Sequence, residues 1–290
     1  MISVPALEWN IARGCNLSCE GCLTFSDFPY TEIIDIETLR DWYSNWCHRI
    51  SPKSLAVLGG EPLLNKQVLD IVSMTRDMWD KQNNEYFELV TNGFLLHRFP
   101  DLPKVLADTD CVLAISIHDD SEEYNKKVRE IKDLVNEWAE KYKIKIRYYD
   151  DNERKETLWK KTYIGKGLDI RPFNDNDIES SWKNCITGQK CWQLWRGNIY
   201  KCPLVAYLPE HKEKFGLHEA WDRYLEEYHP LTPTASDDEI INFFERKAET
   251  CCGMCPATEQ QKFNKPDPIK NQKIFKREIN ERIKIQNKRK

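Results

Sequence analysis

The chain has 290 residues, 40% of them hydrophobic and 31% charged, with a formal net charge of −4, the profile of a globular protein with a well-covered core. That length holds one large domain with a small companion, or two ordinary ones. No run reaches the roughly 18 uninterrupted apolar residues of a membrane span. Met1-Ile2-Ser3-Val4-Pro5 carries neither the basic region nor the apolar core of a secretion signal, so a cytoplasmic protein with no membrane partner is expected.

Along the first 170 residues, short β-rich runs alternate with helical patterns. Strands are predicted at Leu7–Ala12, Ser54–Leu58, Tyr86–Thr91, Cys111–Ile117, Ile144–Tyr149 and Leu168–Pro172. Helices are predicted at Ile36–Ile50, Lys66–Gln82, Leu102–Leu106, Glu122–Lys143 and Glu153–Lys161. Such alternation builds parallel βαβ units with right-handed crossovers. Six repeats without a G-x-G-x-x-G or Walker A turn predict an α/β fold, a partial (β/α)6 TIM-like barrel over residues 1–175. Chemistry in such barrels collects at the C-terminal ends of the strands.

The texture changes after about residue 175. Trp192–Trp195 and Ile199–Cys202 flank Arg196-Gly197-Asn198 and read as a β-hairpin turning at Gly197. A helix is expected at Leu217–Tyr228, then a break at Pro230 and Pro233, then a helix at Ser236–Lys247 with a serine cap. Residues 176–262 thus form a small cysteine-rich unit. The tail, 263–290, is basic: from Lys270 to Lys290 nine Lys/Arg face two Glu, a balance of +7. Phe275, Ile279 and Ile283 at four-residue spacing predict a solvated terminal helix, in preference to a nucleic-acid contact.

Eleven cysteines are many for a chain of this kind, and in a reducing compartment clustered cysteines bind metal or do redox chemistry. Cys47 and Cys111 stand apart in apolar-periodic segments and read as inert core thiols. The other nine fall in three groups. Cys15, Cys19 and Cys22, spaced C-x3-C-x2-C directly after the first strand, can wrap a loop around one face of a four-iron cubane. Three ligands leave one iron open, whereas structural zinc and pure electron carriers use four. Here no fourth Cys or His lies nearby.

This triplet, together with Gly59-Gly60-Glu61-Pro62 after the second strand, resembles the radical S-adenosylmethionine (SAM) superfamily. The resemblance implies a [4Fe–4S] cluster on Cys15, Cys19 and Cys22 that cleaves SAM to a 5′-deoxyadenosyl radical, with Gly59, Gly60 and Glu61 binding the SAM amino group. Two glycines allow close backbone approach, and a glutamate can accept from an ammonium. Asn92 of Thr91-Asn92-Gly93, Ser116 and His118 end the third and fourth strands, where SAM contacts gather in that family. Arg147 in the fifth strand is a candidate partner for the SAM carboxylate, with a structural salt bridge as its alternative. Many family members place an aromatic residue before the third cysteine. Here Gly21 stands there, and adenine contacts are expected elsewhere, from Phe25 or from backbone groups.

Cys185, Cys191 and Cys202, with Gly197 five residues before Cys202, resemble the start of the twitch and SPASM extensions, and Cys251, Cys252 and Cys255 supply late ligands. The resemblance implies an auxiliary [4Fe–4S] cluster on Cys202, Cys252, Cys255 and either Cys185 or Cys191; a zinc site on the same thiolates is the alternative. The expected function is hydrogen abstraction from a small metabolite, sugar-like or similar, or from a peptide, for oxidation or rearrangement. A flavodoxin or ferredoxin is the expected reductant. Nucleotide or nucleic-acid modification is the less favoured alternative, since the aromatics of 182–207 could stack a base but also suit a small core. A non-catalytic iron–sulfur or zinc protein is the alternative of another class.

Overall fold

The computed structural model describes residues 1–79, 84–119, 121–150, 162–174, 177–185, 187–188, 190–258 and 268–287. Its first half repeats strand and helix: β1 (Ile2–Asn10), α1 (Ile36–Ser44), β2 (Ile50–Leu58), α2 (Val68–Met78), β3 (Tyr86–Thr91), α3 (Leu102–Thr109), β4 (Val112–Ile117), α4 (Glu122–Tyr142) and β5 (Ile146–Asp150). The second half holds α5 (Ile178–Asn184), β6 (Gln193–Trp195), β7 (Asn198–Tyr200), α6 (Pro203–Phe215), α7 (Asp222–Leu225), α8 (Asp237–Glu245) and α9 (Pro268–Asn287).

One sheet organises the chain, in the order β5-β4-β3-β2-β1-β6-β7. Strands β1 to β5 are parallel and lie in sequence order, each joined to the next across a helix. This is the mixed α/β, partial TIM-like architecture that the alternation predicts. The strands are buried on both faces, Leu55, Val57, Leu89, Leu113 and Ala114 each showing no exposed surface, as parallel sheets covered by helices require.

The sixth strand is not where the sequence places it. Residues 168–172 form a 3₁₀ turn (Gly167–Asp169) flanked by a single bridge between Ile164 and Arg171. Gly165 and Gly167 both take positive φ, +83° and +57°, which bends the backbone away from an extended run. The free edge of β1 is filled instead by β6, parallel to it, with Glu8 opposite Gln193 and the Glu8 amide donating to the Trp192 carbonyl at 2.8 Å. β6 turns back into β7 at Gly197 (φ +77°), so the expected hairpin forms and continues the main sheet. The sheet therefore runs across the boundary expected near residue 175.

Three helices also differ from expectation. The helix expected at Leu217–Tyr228 is a 3₁₀ turn and the single turn of α7. The longer helix of this region is α6, which starts with Pro203 at its first position and ends on Gly216 in the left-handed conformation (φ +61°). α1 stops at Ser44, six residues short of its expected end. The helix expected at Glu153–Lys161 lies outside the described residues. Ser236 and Glu239 close a reciprocal capping box on α8. Cys47 and Cys111 are buried core thiols.

Candidate active site

A cavity of about 200 Å³ opens at the C-terminal ends of β1 to β4. Its wall carries Cys15, Cys19 and Cys22 together with Gly59, Gly60, Asn92, Ser116 and His118, so the sequence-predicted residues that lay far apart in the chain meet on one surface. Cys191 joins them from the second half.

The cysteine loop is anchored by its own short side chains. Leu17, between the first two cysteines, buries into an apolar cluster with Ile117, Tyr124 and Val128. The Leu17 amide donates to Cys15 Sγ at 3.3 Å. Cys22 Sγ lies 3.3 Å from Thr24 Oγ1, which in turn meets Ser26 Oγ at 2.9 Å. Gly21 takes φ +78°, open to glycine and strained for an aromatic residue, which explains why no aromatic precedes the third cysteine. Phe25 does not stand in for it. Its ring is fully buried, stacked 4.3 Å from His211, and faces no ligand space.

Burial pushes the Cys15, Cys19 and Cys22 thiols above their ordinary range, the Glu61 charge adding to the effect on Cys15 and mutual repulsion to that on Cys19. Unaided, such thiols stay protonated; a bound metal charge is what turns them into thiolate ligands. Among the described residues no three His, Cys, Asp or Glu side chains converge on a single metal ion. A four-iron cluster asks for something else, three thiolates each set on its own iron, and three cysteines on one cavity wall fit that requirement.

The Gly59–Gly60 turn is clamped onto this loop. The Gly60 amide donates to Ala12 O at 2.8 Å and the Glu61 amide to Gly14 O at 2.9 Å. A Cβ on Gly60 would stand 2.3 Å from Gly14 O and 2.5 Å from Ser26 Cβ, so close approach of backbones is what glycine permits here. Glu61 has a structural role beside the one expected of it. It is fully buried, and its carboxylate accepts from the Leu63 amide at 3.0 Å, Thr91 Oγ1 at 2.6 Å and the Asn92 amide at 2.9 Å. Three of its four lone-pair sites are taken by the protein, and it ties the end of β3 to the turn after β2. Asn92 continues the tie, donating through Nδ2 to Asn16 Oδ1 at 2.8 Å.

Arg147 lies away from the cavity. It ion-pairs with Glu88 and donates to Tyr149 Oη at 3.2 Å, and Tyr149 donates to the second Glu88 oxygen at 2.7 Å. It lines a separate depression with Arg76 and Lys145, near the opposite ends of β3 to β5. The pairing with Glu88 is the structural use that the sequence left as the alternative.

Two cavity residues escaped the sequence reading. Glu8, near the end of β1, receives Gln193 Nε2 on its carboxylate at 2.7 Å, and Gln193 accepts from Tyr207 Oη at 3.0 Å. Burial raises the Glu8 carboxyl to about 7. Asp27, five residues after Cys22, is buried and raised likewise, and its Oδ1 has no partner among the described residues. The signal for Glu8 was available: a carboxylate at the C-terminal end of a central barrel strand.

Of the later cysteines, Cys191 lines the cavity. Cys185, Cys191 and Cys202 lie within one another's fields, as do Cys202, Cys251 and Cys252. Cys251, Cys252 and Cys255 sit on or at the end of one 3₁₀ turn (Thr250–Met254), held to α5 by Ser181 Oγ donating to Cys255 O at 3.0 Å. A hydrogen bond from Cys251 holds the Cys252 thiol below its usual range. Buried Lys201 supports the same turn from behind, donating to Arg246 O at 3.2 Å, Lys247 O and Glu249 Oε1.

Residues 9–148, just under half of the chain, match the family model described as the Radical SAM superfamily, whose members are enzymes. It is similar to the pre-heme d1 synthase of Dinoroseobacter shibae, 34% identical over 94 residues that cover 31% of this chain and 21% of that protein. Among solved structures, BtrN in complex with AdoMet and 2-DOIA covers 92% of this chain and 100% of its own at 15% identity and a TM-score of 0.48. Native anSMEcpe with bound AdoMet and Cp18Cys peptide covers 49% of this chain and 42% of its own at 23% identity and a TM-score of 0.38. The chain thus spans about a fifth of the curated relative and under half of anSMEcpe.

Proposed function

We propose that Cys15, Cys19 and Cys22 hold a [4Fe–4S] cluster, that SAM binds in the adjoining cavity, and that the chain abstracts hydrogen from a small metabolite, sugar-like or similar, or a peptide. The observation that carries this reading is the meeting of the three cysteines, the Gly59–Gly60 turn, Asn92, Ser116 and His118 on one cavity wall. When bound and reduced, the cluster supplies the electron that splits SAM to methionine and the 5′-deoxyadenosyl radical.

The protein's own contribution is binding, orientation and shielding. The backbone of Gly59 and Gly60 receives the SAM ammonium, the role expected of Gly59, Gly60 and Glu61 together. Glu61 and Asn92 fix that turn against the cysteine loop, and Ser116 and His118 offer polar groups to the rest of the cofactor. Substrate enters on the side of Glu8, Thr187 and Gln193, between the first cysteine group and the second. Four of Cys185, Cys191, Cys202, Cys251, Cys252 and Cys255 hold an auxiliary [4Fe–4S] cluster behind it, and a flavodoxin or ferredoxin delivers electrons.

The test is iron and sulfide content, EPR and 5′-deoxyadenosine release under dithionite, on anaerobically reconstituted protein and on its Cys15/Cys19/Cys22→Ala variant. About eight irons falling to about four, with loss of 5′-deoxyadenosine, is expected. Four falling to none would leave the later cysteines to zinc or to a structural role. A fully loaded wild-type protein that releases no 5′-deoxyadenosine from SAM would sink the enzymatic reading.

A further inference from the structure

The basic C-terminal helix has no role in the chemistry proposed above, yet it is seated beside it. Ile279 of α9 is buried and Ile283 packs against the main core. Arg282 grips Asp169 through two bonds, 2.8 and 3.1 Å. One turn and a half earlier on the helix, Lys276 Nζ donates to the carbonyl oxygen of Cys15 at 2.7 Å. The Lys276 ammonium is half-buried there, and the Cys15, Cys19 and Cys22 thiols and Asp27 all feel or shape its charge.

We infer that Lys276 is a positioning residue for the charge of the SAM-binding cluster: a cation brought from the far end of the chain that favours the cluster's reduced state. This rests on the cluster assignment to Cys15, Cys19 and Cys22. A cubane held by three thiolates is an anion, and one electron from the external reductant makes it more negative still. A fixed ammonium beside the loop attracts the reduced state more than the oxidised one, and a partly dry site magnifies the difference. The carboxyl groups around the loop, Asp27 and Glu20, act in the opposite sense. The Lys276 hydrogen bond goes to the Cys15 backbone and not to a sulfur, so its influence is that of a charge.

The experiment is an EPR-monitored redox titration of the reconstituted holoenzyme, following the signal that changes when SAM is added. Lys276→Met removes charge and donor, Lys276→Gln keeps a donor for Cys15 O without the charge, and Lys276→Arg keeps both. At a fixed potential the reduced-to-oxidised ratio is expected to fall about tenfold in the Met and Gln variants, about 59 mV for a one-electron couple, and to hold in the Arg variant. Met and Gln variants that titrate with the wild type overturn the inference while leaving the cluster assignment standing. A SAM-sensitive signal that survives in the Cys15/Cys19/Cys22→Ala variant overturns both. Should Lys276→Met lose iron, the Gln and Arg pair decides. Acetylation of the holoenzyme checks the seat itself: Lys276 should react more slowly than exposed Lys284, and equal reaction counts against the docked helix.

Discussion

At the scale of single residues, Glu61 shows how a cavity wall is built from side chains buried behind it. Its Oε1 accepts from the Leu63 amide and from Thr91 Oγ1, and its Oε2 accepts from the Asn92 amide. Those bonds join the turn after β2 to the end of β3, and the Glu61 and Gly60 amides join the same turn to the cysteine loop. The carboxylate thus holds two of these segments, and the backbone of the same turn holds the third. Glu61→Gln keeps the size but not the pattern. The Thr91 hydroxyl can rotate, whereas the Leu63 and Asn92 amides can only donate. Whichever way the new amide is turned, its NH₂ group meets one of those N–H donors, and one buried donor loses its acceptor. The expected cost is about 1–3 kcal/mol, read as a lower midpoint in denaturant with unchanged slope. A midpoint within error of wild type would mean that the carboxylate is not the tie between these loops.

At the scale of elements, what was legible in the sequence and what was not divide along physical lines. β3 runs over the residues its β-branched and aromatic pattern marked, Tyr86–Thr91, because a buried parallel strand is a local apolar run bounded by turns. The cysteine and Gly-Gly motifs reached the cavity because each sits on a strand end that the barrel brings together. The sixth strand was missed because its place beside β1 is set by a long-range pairing, and no local pattern distinguishes residues 168–172 from Gln193–Trp195 as the partner. α6 was missed because Pro209 lies inside it, although Pro203 and Gly216 marked its ends. That helix carries a prediction. His211 is fully buried against Phe25, Phe28 and Phe215, with Nδ1 2.9 Å from Tyr30 Oη. Burial, and next to it the Arg13 charge, hold its pKa well below the ordinary value. The unfolded chain therefore takes up a proton at about pH 6.5, before the folded one does. The stability this histidine contributes is whole above that pH and is lost as pH falls below it. Glu8, with its pKa raised, acts in the opposite sense over a neighbouring range, so the test is a difference. Between pH 7.5 and 5.5, His211→Phe should lose less melting temperature than the wild type does. Parallel pH profiles would show that His211 is protonated in the folded protein.

At the scale of the whole molecule, the two halves are bound more closely than their compositions imply. Beyond the β1–β6 pairing, Trp46 Nε1 donates to Gly197 O at 2.8 Å, and Arg49 reaches Pro233 O at 2.9 Å, Ala235 O at 2.6 Å and Asp237 Oδ1 at 2.8 Å. Arg13 is the clearest case. It is fully buried two residues before Cys15, and its guanidinium nitrogens have no hydrogen-bond partner among the described residues. It is held instead over the rings of Tyr30, Trp195 and Tyr207 at 4.4, 5.1 and 4.7 Å, with Glu210 3.8 Å away. A buried cation without partners is costly, and aromatic faces offset that cost. Two of the three rings and the carboxylate belong to residues 195–210. The segment just before the first cysteine is therefore completed by the half of the chain that carries the second cysteine group. A chain ending at residue 175 loses β6, the Trp195 and Tyr207 rings and the packing of α8 on β1. It is expected to bind a hydrophobic dye and to unfold without a cooperative transition. A chain ending at residue 262 keeps all of these contacts, and should unfold cooperatively while carrying the redox shift of the Lys276→Met variant. If the shorter chain instead melted in one sharp transition near the full-length midpoint, the barrel would be an autonomous domain. The link from Arg13 to Trp195 and Tyr207 would then be an accessory to the fold of the cysteine loop, not a condition of it.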